Sequence, residues 1–251
     1  MPDTRVKAFV AGGLTVLLLA LSGLSTATPT ALADATTSAP PASSRLIALT
    51  FDDGPDTILT PRILDTLARE HVRATFFVIG TSVLAHPEIM RRIVRDGHAL
   101  GNHSYDHARL TRLTPEQIVW ELRAADQSLY LYSGCRPRWF RPPYGRLSSL
   151  AQRQVRQLGY TVVGWSVDSR DWEGISAAQI TRNVLRSLAP GAIILLHSGG
   201  SNPSTRMQTA AALPAIITAA RRMGYTFATL DQVLGSNRTL SLQPATQPGC
   251  R

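Results

Sequence analysis

From Arg45 onward, short runs of β-branched and apolar residues alternate with segments whose apolar positions recur at helical spacing. The runs "LIALTF" (46–51), "ATFFVI" (74–79), "HALGN" (98–102), "RWFR" (138–141), "TVVGWS" (161–166), "AIILLH" (192–197) and "YTFATL" (225–230) predict seven strands. Helical start signals stand between them: Thr60-Pro61 before "RILDTLARE", Thr114-Pro115-Glu116-Gln117 before "IVWELRAADQSL", and Ser176 before "AAQITRNVLRSL". Ile63/Leu67, Ile89/Ile93 and Ile118/Leu122/Ala125/Leu129 recur three or four apart, which marks a buried stripe on each helix. These side chains are expected in the core, not in a site.

Alternation of strand and helix argues for an α/β fold with a parallel sheet, either doubly wound or closed toward a barrel. No glycine-rich nucleotide fingerprint follows the first strand, so an incomplete (β/α) barrel is the expected architecture. In such a barrel the chemistry belongs at the C-terminal ends of the strands.

The chain before Arg45 has another character. Arg5 and Lys7 precede an apolar stretch, Ala8 to Leu24, and Ala31 and Ala33 offer a small-residue cleavage site, which reads as a secretory signal over residues 1–35. An uncleaved anchor is the alternative, because the stretch is near the lower length limit for a spanning helix. Both readings place the rest of the chain outside the cytoplasm, secreted or associated with the cell wall. Residues 36–44 lack large apolar groups and read as linker; the domain is expected over 45–235, with a tail over 236–251.

Net charge is +9, and every basic residue except Lys7 is arginine. The arginines are scattered and no nucleic-acid fingerprint accompanies them, so nucleic acid is not an expected partner, nor is a stable protein partner. An anionic matrix such as a cell wall suits the charge better. The two cysteines, Cys135 and Cys250, either pair outside the cell or remain free thiols, and no cysteine metal motif is possible.

Polar residues gather at the expected strand ends. Strand one ends in Asp52-Asp53, strand three in "GNHSYDHARL", strand four in "RPPYG", strand five runs into "DSRDW", and strand six ends in "LLHSGG". His103 and His107 are spaced to reach one ion, whereas His71, His86 and His98 lie in or beside helices and read as structural. Two histidines and a carboxylate make a three-ligand site with open positions, suited to zinc or non-haem iron. One aspartate of the pair can then be a ligand while its neighbour stays free as a base. Adjacent strand residues point to opposite faces, so the chain must bend, and Gly54-Pro55 permits it. Asp168 reads as a structural cap, and Ser104 as a source of at most a supporting hydrogen bond, since no nucleophile elbow surrounds it.

"TFDDGP", "HSYDH", "RPPYG", "DSRDW" and "LLH" occur in this order, and the stretch from Arg45 to Leu234 resembles the polysaccharide deacetylases of carbohydrate esterase family 4, the NodB-homology domain. The resemblance implies a distorted (β/α)7 barrel related to the TIM barrel. It implies a divalent metal, zinc before cobalt or nickel, on Asp53, His103 and His107, with Asp52 as general base and Arg141 paired to it. The Tyr144 backbone N–H would stabilise the oxyanion. Asp171 would orient His197, the general acid, with Trp172 beside them and Leu195 lining the acetyl-methyl pocket. Many relatives carry an acidic residue after the histidine, where this chain has Ser198, and the loop that begins there is expected to reshape the cleft rim.

The resulting expectation is metal-dependent removal of acetyl groups from a polysaccharide, foremost N-deacetylation of N-acetylglucosamine units in peptidoglycan or chitin oligomers. O-deacetylation of acetylxylan, or a silent carbohydrate-binding domain on the same fold, are the alternatives. A non-haem iron oxygenase would have no use for a free Asp52 or a carboxylate-paired His197.

Overall fold

The computed structural model describes residues 45–200 and 203–235. The expected signal, linker and tail, and Cys250 with its pairing to Cys135, lie outside them. Among the described residues no helix is long and apolar enough to cross a membrane.

In chain order the elements are β1 (Leu46–Asp52), α1 (Leu59–Arg69), β2 (Thr75–Val78), α2 (Gly80–Ala85), α3 (Pro87–Arg95), β3 (Ala99–Asn102), α4 (Pro115–Ser133), β4 (Trp139–Phe140), α5 (Ser149–Gln157), β5 (Thr161–Val162), β6 (Val167–Asp168), α6 (Ala177–Leu185), β7 (Ile193–His197), α7 (Pro203–Arg222), β8 (Thr226–Phe227) and α8 (Leu230–Val233). Every pairing is parallel, in the order β5-β4-β3-β2-β1-β7-β6, with β8 beside the start of β1. No pairing joins β5 to β6 among the described residues, so the ring is incomplete. This is the incomplete barrel that the alternation implies, and it is consistent with the distorted (β/α)7 architecture that the family resemblance implies.

Alternation along β1 divides the molecule into two environments. Ile47, Leu49 and Phe51 join Phe76, Ile194 and Leu196 in the core under the helices, together with Ile63 and Leu67 of α1. Ala48 faces the other way and packs with Phe77, Trp139, Val163 and Leu230 inside the barrel. Gly101 of β3 is required there: a Cβ at that position would lie 2.3 Å from the Phe77 ring. The ring in turn lies 4.2 Å below the Arg141 guanidinium, which is fully buried.

Three elements differ from the sequence expectation. "TVVGWS" is not one strand: β5 ends at Val162, because the Val163 and Gly164 carbonyls accept from Arg141 Nε (3.3 Å) and Nη2 (2.9 Å). The chain then crosses to β7, where Ser166 N–H donates to Ile193 O (3.0 Å) and β6 adds an eighth strand. Helix α1 begins before Thr60-Pro61, capped by Asp56, whose Oδ1 accepts from the N–H groups of Ile58 (3.0 Å), Leu59 (2.6 Å) and Thr60 (3.0 Å). The run "YTFATL" ends as strand at Phe227, since Thr229 and Gln232 form a capping box that opens α8. The caps expected at Thr114 and Ser176 are present on α4 and α6.

His98 is structural. It is buried, its Nδ1 accepts from Ala74 N–H (3.2 Å), and burial pushes its pKa from 6.5 to about 4. The unfolded chain therefore binds more protons between these values, so the His98 contribution is complete above pH 6.5 and is lost as pH falls toward 4. The loss amounts to about 3 kcal/mol. Urea unfolding of the protein and of His98→Gln across this range should show a shallower pH slope in the variant, and identical slopes would refute the assignment.

Candidate functional site

Asp52 closes β1, and its neighbour Asp53 turns the chain. The bend expected here begins at Asp53 itself, with φ of 72°, directly before the Gly54-Pro55 pair that permits it. A left-handed backbone is tolerated by aspartate more readily than by most residues, and it brings both carboxylates to one end of the barrel. The reversed chain is held by Ile79 N–H, which donates to Gly54 O (3.0 Å), and by Ser198 N–H, which donates to Asp52 O (2.8 Å). Ser198 is fully buried beneath Gly54 and supports the aspartate turn without lining the cleft, and the side chains of residues 201–206 in the loop expected to reshape the rim lie outside the described ones. Gly199 also follows from this packing, because a Cβ there would lie 2.7 Å from Asp53 O.

His103 and His107 come from the loop after β3, which carries left-handed residues at Ser104 (φ 67°) and His107 (φ 66°). Such a loop persists when its surroundings over-determine it. Gly80 N–H donates to Ser104 O (3.0 Å) and Thr81 N–H to Tyr105 O (2.8 Å). From α4, buried Glu121 accepts from Tyr105 N–H (2.9 Å) and Asp106 N–H (3.3 Å), while Asn102 Oδ1 accepts from Ser104 N–H (2.8 Å). Ser104 contributes its backbone only, and its hydroxyl has no hydrogen-bond partner among the described residues.

Asp53, His103 and His107 each offer a ligand atom, and these atoms lie within 4.8 Å of one another. His103 Nδ1 is 2.7 Å from Arg141 O. With Nδ1 as donor, the Nε2 lone pair is turned toward Asp53 Oδ1, 3.4 Å away. His107 Nε2 lies 3.2 Å from the same oxygen. Burial opposes charge on Asp53, but the His103 and His107 hydrogen bonds and the charges of His103 and His197 hold its pKa well below the usual carboxylate range. Burial likewise opposes charge on His103, and Asp52, Asp53 and the Arg141 carbonyl outweigh it, so its pKa is raised. A field that favours a proton here also favours a divalent cation, and the donor set of two imidazoles and a carboxylate fits one with open positions.

Asp52 is held from below. Arg141 Nη1 donates to Asp52 Oδ1 (2.8 Å) and to Thr50 Oγ1 (2.8 Å), and Asp52 Oδ2 lies 3.8 Å from His103 Nε2. Opposite Asp52 in the β1–β7 register stands His197, and Leu195 stands opposite Thr50. His197 Nδ1 lies 2.7 Å from Asp171 Oδ1, and His197 N–H donates to Asp171 Oδ2 (2.9 Å). Thr209 Oγ1 of α7 donates to that same Oδ2 (2.7 Å). Burial opposes the His197 charge, but Asp171, with smaller contributions from Asp53 and Asp52, raises its pKa above the ordinary histidine value.

Tyr144, Trp172 and Leu195 join Asp52, Asp53, His103, His107 and His197 around a cleft of about 560 Å3. Arg141 and Asp171 lie behind it, fully buried. All the residues singled out from the motifs therefore meet at one end of the barrel. Asp168 has both characters: its Oδ1 accepts from Arg170 N–H (2.8 Å), and it also lines the cleft. The sequence reading missed Thr50, Thr209, Glu121, Arg109, Arg146 and Trp165. Trp165 was hidden inside an expected strand, Thr50 and Arg109 stand within quoted stretches whose carboxylates and histidines drew the reading instead, and Thr209, Glu121 and Arg146 lie in no motif.

Residues 39–163 match the profile of the family described as Polysaccharide deacetylase. The chain is 35% identical over 201 residues to the peptidoglycan-N-acetylglucosamine deacetylase PgdA of Listeria monocytogenes, covering 80% of this chain but 41% of that protein. It is 38% identical over 201 residues to a chitooligosaccharide deacetylase of Bradyrhizobium, covering 76% of this chain and 91% of the relative. The crystal structure of the Bc1960 peptidoglycan N-acetylglucosamine deacetylase superposes with a TM-score of 0.72 at 37% identity, over 76% of this chain and 88% of that one. With this extent of shared sequence, and with the motif residues converging on one cleft, the chain belongs to the polysaccharide deacetylase family.

Proposed function

We propose that the protein hydrolyses N-acetyl groups from N-acetylglucosamine units of an extracellular polysaccharide, peptidoglycan or a chitin-type oligomer. The observation that carries this reading is the pairing across one cleft of an arginine-held carboxylate, Asp52, with a carboxylate-held histidine, His197, beside the Asp53–His103–His107 triad. Named relatives act on peptidoglycan N-acetylglucosamine and on chitooligosaccharides, which supports the same substrate class here.

Asp53, His103 and His107 would hold a divalent cation, with zinc favoured by the imidazole-rich donor set. Bound there, it would lower the pKa of a water ligand and polarise the acetyl carbonyl. Asp52 accepts the proton that the attacking water loses, and Arg141 fixes the orientation of its carboxylate. The backbone N–H of Tyr144 donates to the oxyanion that develops. Asp171 keeps a proton on Nδ1 of His197 and turns Nε2 toward the cleft. His197 Nε2 then gives its proton to the departing nitrogen as the C–N bond breaks, leaving acetate and a free amine. Leu195 bounds the space for the acetyl methyl, and Trp172 offers an exposed ring to the sugar. The N-terminal segment is read as directing export.

Acetate release from chitooligosaccharides, peptidoglycan and acetylxylan tests the reading directly. The zinc-loaded chain should release acetate from the N-acetylated polymers, and Asp52→Asn should be slower by roughly 10²- to 10⁴-fold. Release from acetylxylan alone would instead establish an O-deacetylase. In calorimetric titration with zinc, His103→Gln and His107→Gln should each bind far more weakly than the parent; unchanged binding would place the metal elsewhere. The acid must be protonated, and the His197 pKa is raised, so the alkaline limb of the kcat/KM profile should lie above pH 6.5. Asp171→Asn removes the largest influence raising that pKa and should move the limb to lower pH, whereas an unmoved limb would mean that another group supplies the proton.

A further inference from the structure

Two cleft arginines have no task in the deacetylation steps. Arg109 and Arg146 both line the cleft, both are exposed, and neither has an ion-pair partner among the described residues. Most of the cleft's carboxylate charge is already engaged: Asp52 with Arg141, Asp53 with His103 and His107, and one oxygen of Asp168 with the Arg170 N–H.

Arg109 is held by a ring instead of by an acid. Its guanidinium carbon lies 3.9 Å from the centroid of Tyr144, and the Tyr144 ring stands 4.7 Å, edge to face, from His107. A guanidinium resting on a ring keeps its N–H donors available around its edge, in the planar geometry that matches a carboxylate. The cation is thus fixed one aromatic ring away from the triad. Around it, Tyr144, Trp165 and Trp172 present exposed rings to the same cleft, as a saccharide face requires.

We propose that Arg109 and Arg146 form a subsite for a carboxylate carried by the glycan beside the N-acetyl sugar undergoing reaction, so that the cleft selects an acidic polysaccharide over a neutral one. The inference rests on the deacetylase reading and narrows its substrate. In peptidoglycan such a carboxylate comes from the lactyl ether of the neighbouring sugar when it is unsubstituted, or from the peptide attached to it. Chitin-type oligomers have neither.

The zinc-loaded full chain is assayed for acetate release on four substrates: amidase-stripped peptidoglycan strands, the same strands with their carboxylates amidated by carbodiimide coupling, peptide-bearing strands, and a chitooligosaccharide of matched length. At low salt, kcat/KM on the stripped acidic strands should exceed that on the amidated ones about tenfold, equivalent to about 1.4 kcal/mol, and added salt should compress the ratio. The double substitution Arg109→Gln and Arg146→Gln should bring the ratio close to one, while the corresponding double lysine variant should retain part of it. A preference found for peptide-bearing strands alone, and abolished by the same substitutions, would support the subsite with the peptide as the carboxylate source. Acetate release with a ratio near one in the parent, or a ratio that survives the double glutamine substitution, overturns the subsite and leaves the deacetylase reading standing. Absence of acetate from all four substrates overturns both.

Discussion

The buried contact between Arg141 and Asp52 is the constraint on which the rest of the site depends. Arg141 occupies the barrel interior on top of Phe77, and one of its side-chain nitrogens spans Thr50 and Asp52. Its own carbonyl fixes the tautomer of His103, and its remaining nitrogens gather the Val163 and Gly164 carbonyls. One residue therefore orients the proposed base, orients a proposed metal ligand, and diverts the chain that becomes β6. A guanidinium with no access to solvent is tolerable only because these partners are all in place. Removing one member of such a buried pair typically costs about 3–5 kcal/mol, chiefly because the other is left charged without a partner.

Around that contact, the two loops that carry the candidate ligands are shaped by different means. Asp53 is turned by its own left-handed backbone and pinned by main-chain bonds from Ile79 and from the buried Ser198 beside it. The His103–His107 loop is held from above by the first turn of α2 and from the side by Glu121 of α4. Burial raises the pKa of Glu121, and Asp106 adds to the rise while the two N–H groups oppose it. Both loops thus take their geometry from backbone hydrogen bonds to neighbouring elements, which leaves the three candidate ligand side chains able to serve one ion.

Seven of the strands, their general alternation with helices and the residues of the five motifs are legible in the sequence because each has a local signature: a period of two, a cap, or a chemically unusual pair such as Asp52-Asp53. The break in "TVVGWS" is not legible, because it is imposed by a side chain more than twenty positions upstream that captures two carbonyls. The Asp56 cap is obscured by a nearer Thr-Pro signal. Thr209 and Glu121 act on the site only through contacts over long sequence separations, and a threonine or a glutamate within a helix carries no mark of such a role. The bend at Asp53 is foreseeable, since Gly54-Pro55 permits it, and the structure places the left-handed residue directly before that pair.

Asp52 and His197 end adjacent parallel strands and are paired in register. The spacing of neighbouring strands, about 4.8 Å, therefore sets how far apart the two backbone positions stand. By contrast, Arg109, Arg146 and Trp172 all belong to connecting segments at the mouth of the barrel. Mutational drift at those side chains can remodel what the cleft recognises while the hydrogen-bonded ladder keeps the backbones of Asp52 and His197 in register. The placement of the Asp52–His197 pair thereby separates its preservation from the evolution of selectivity at the rim.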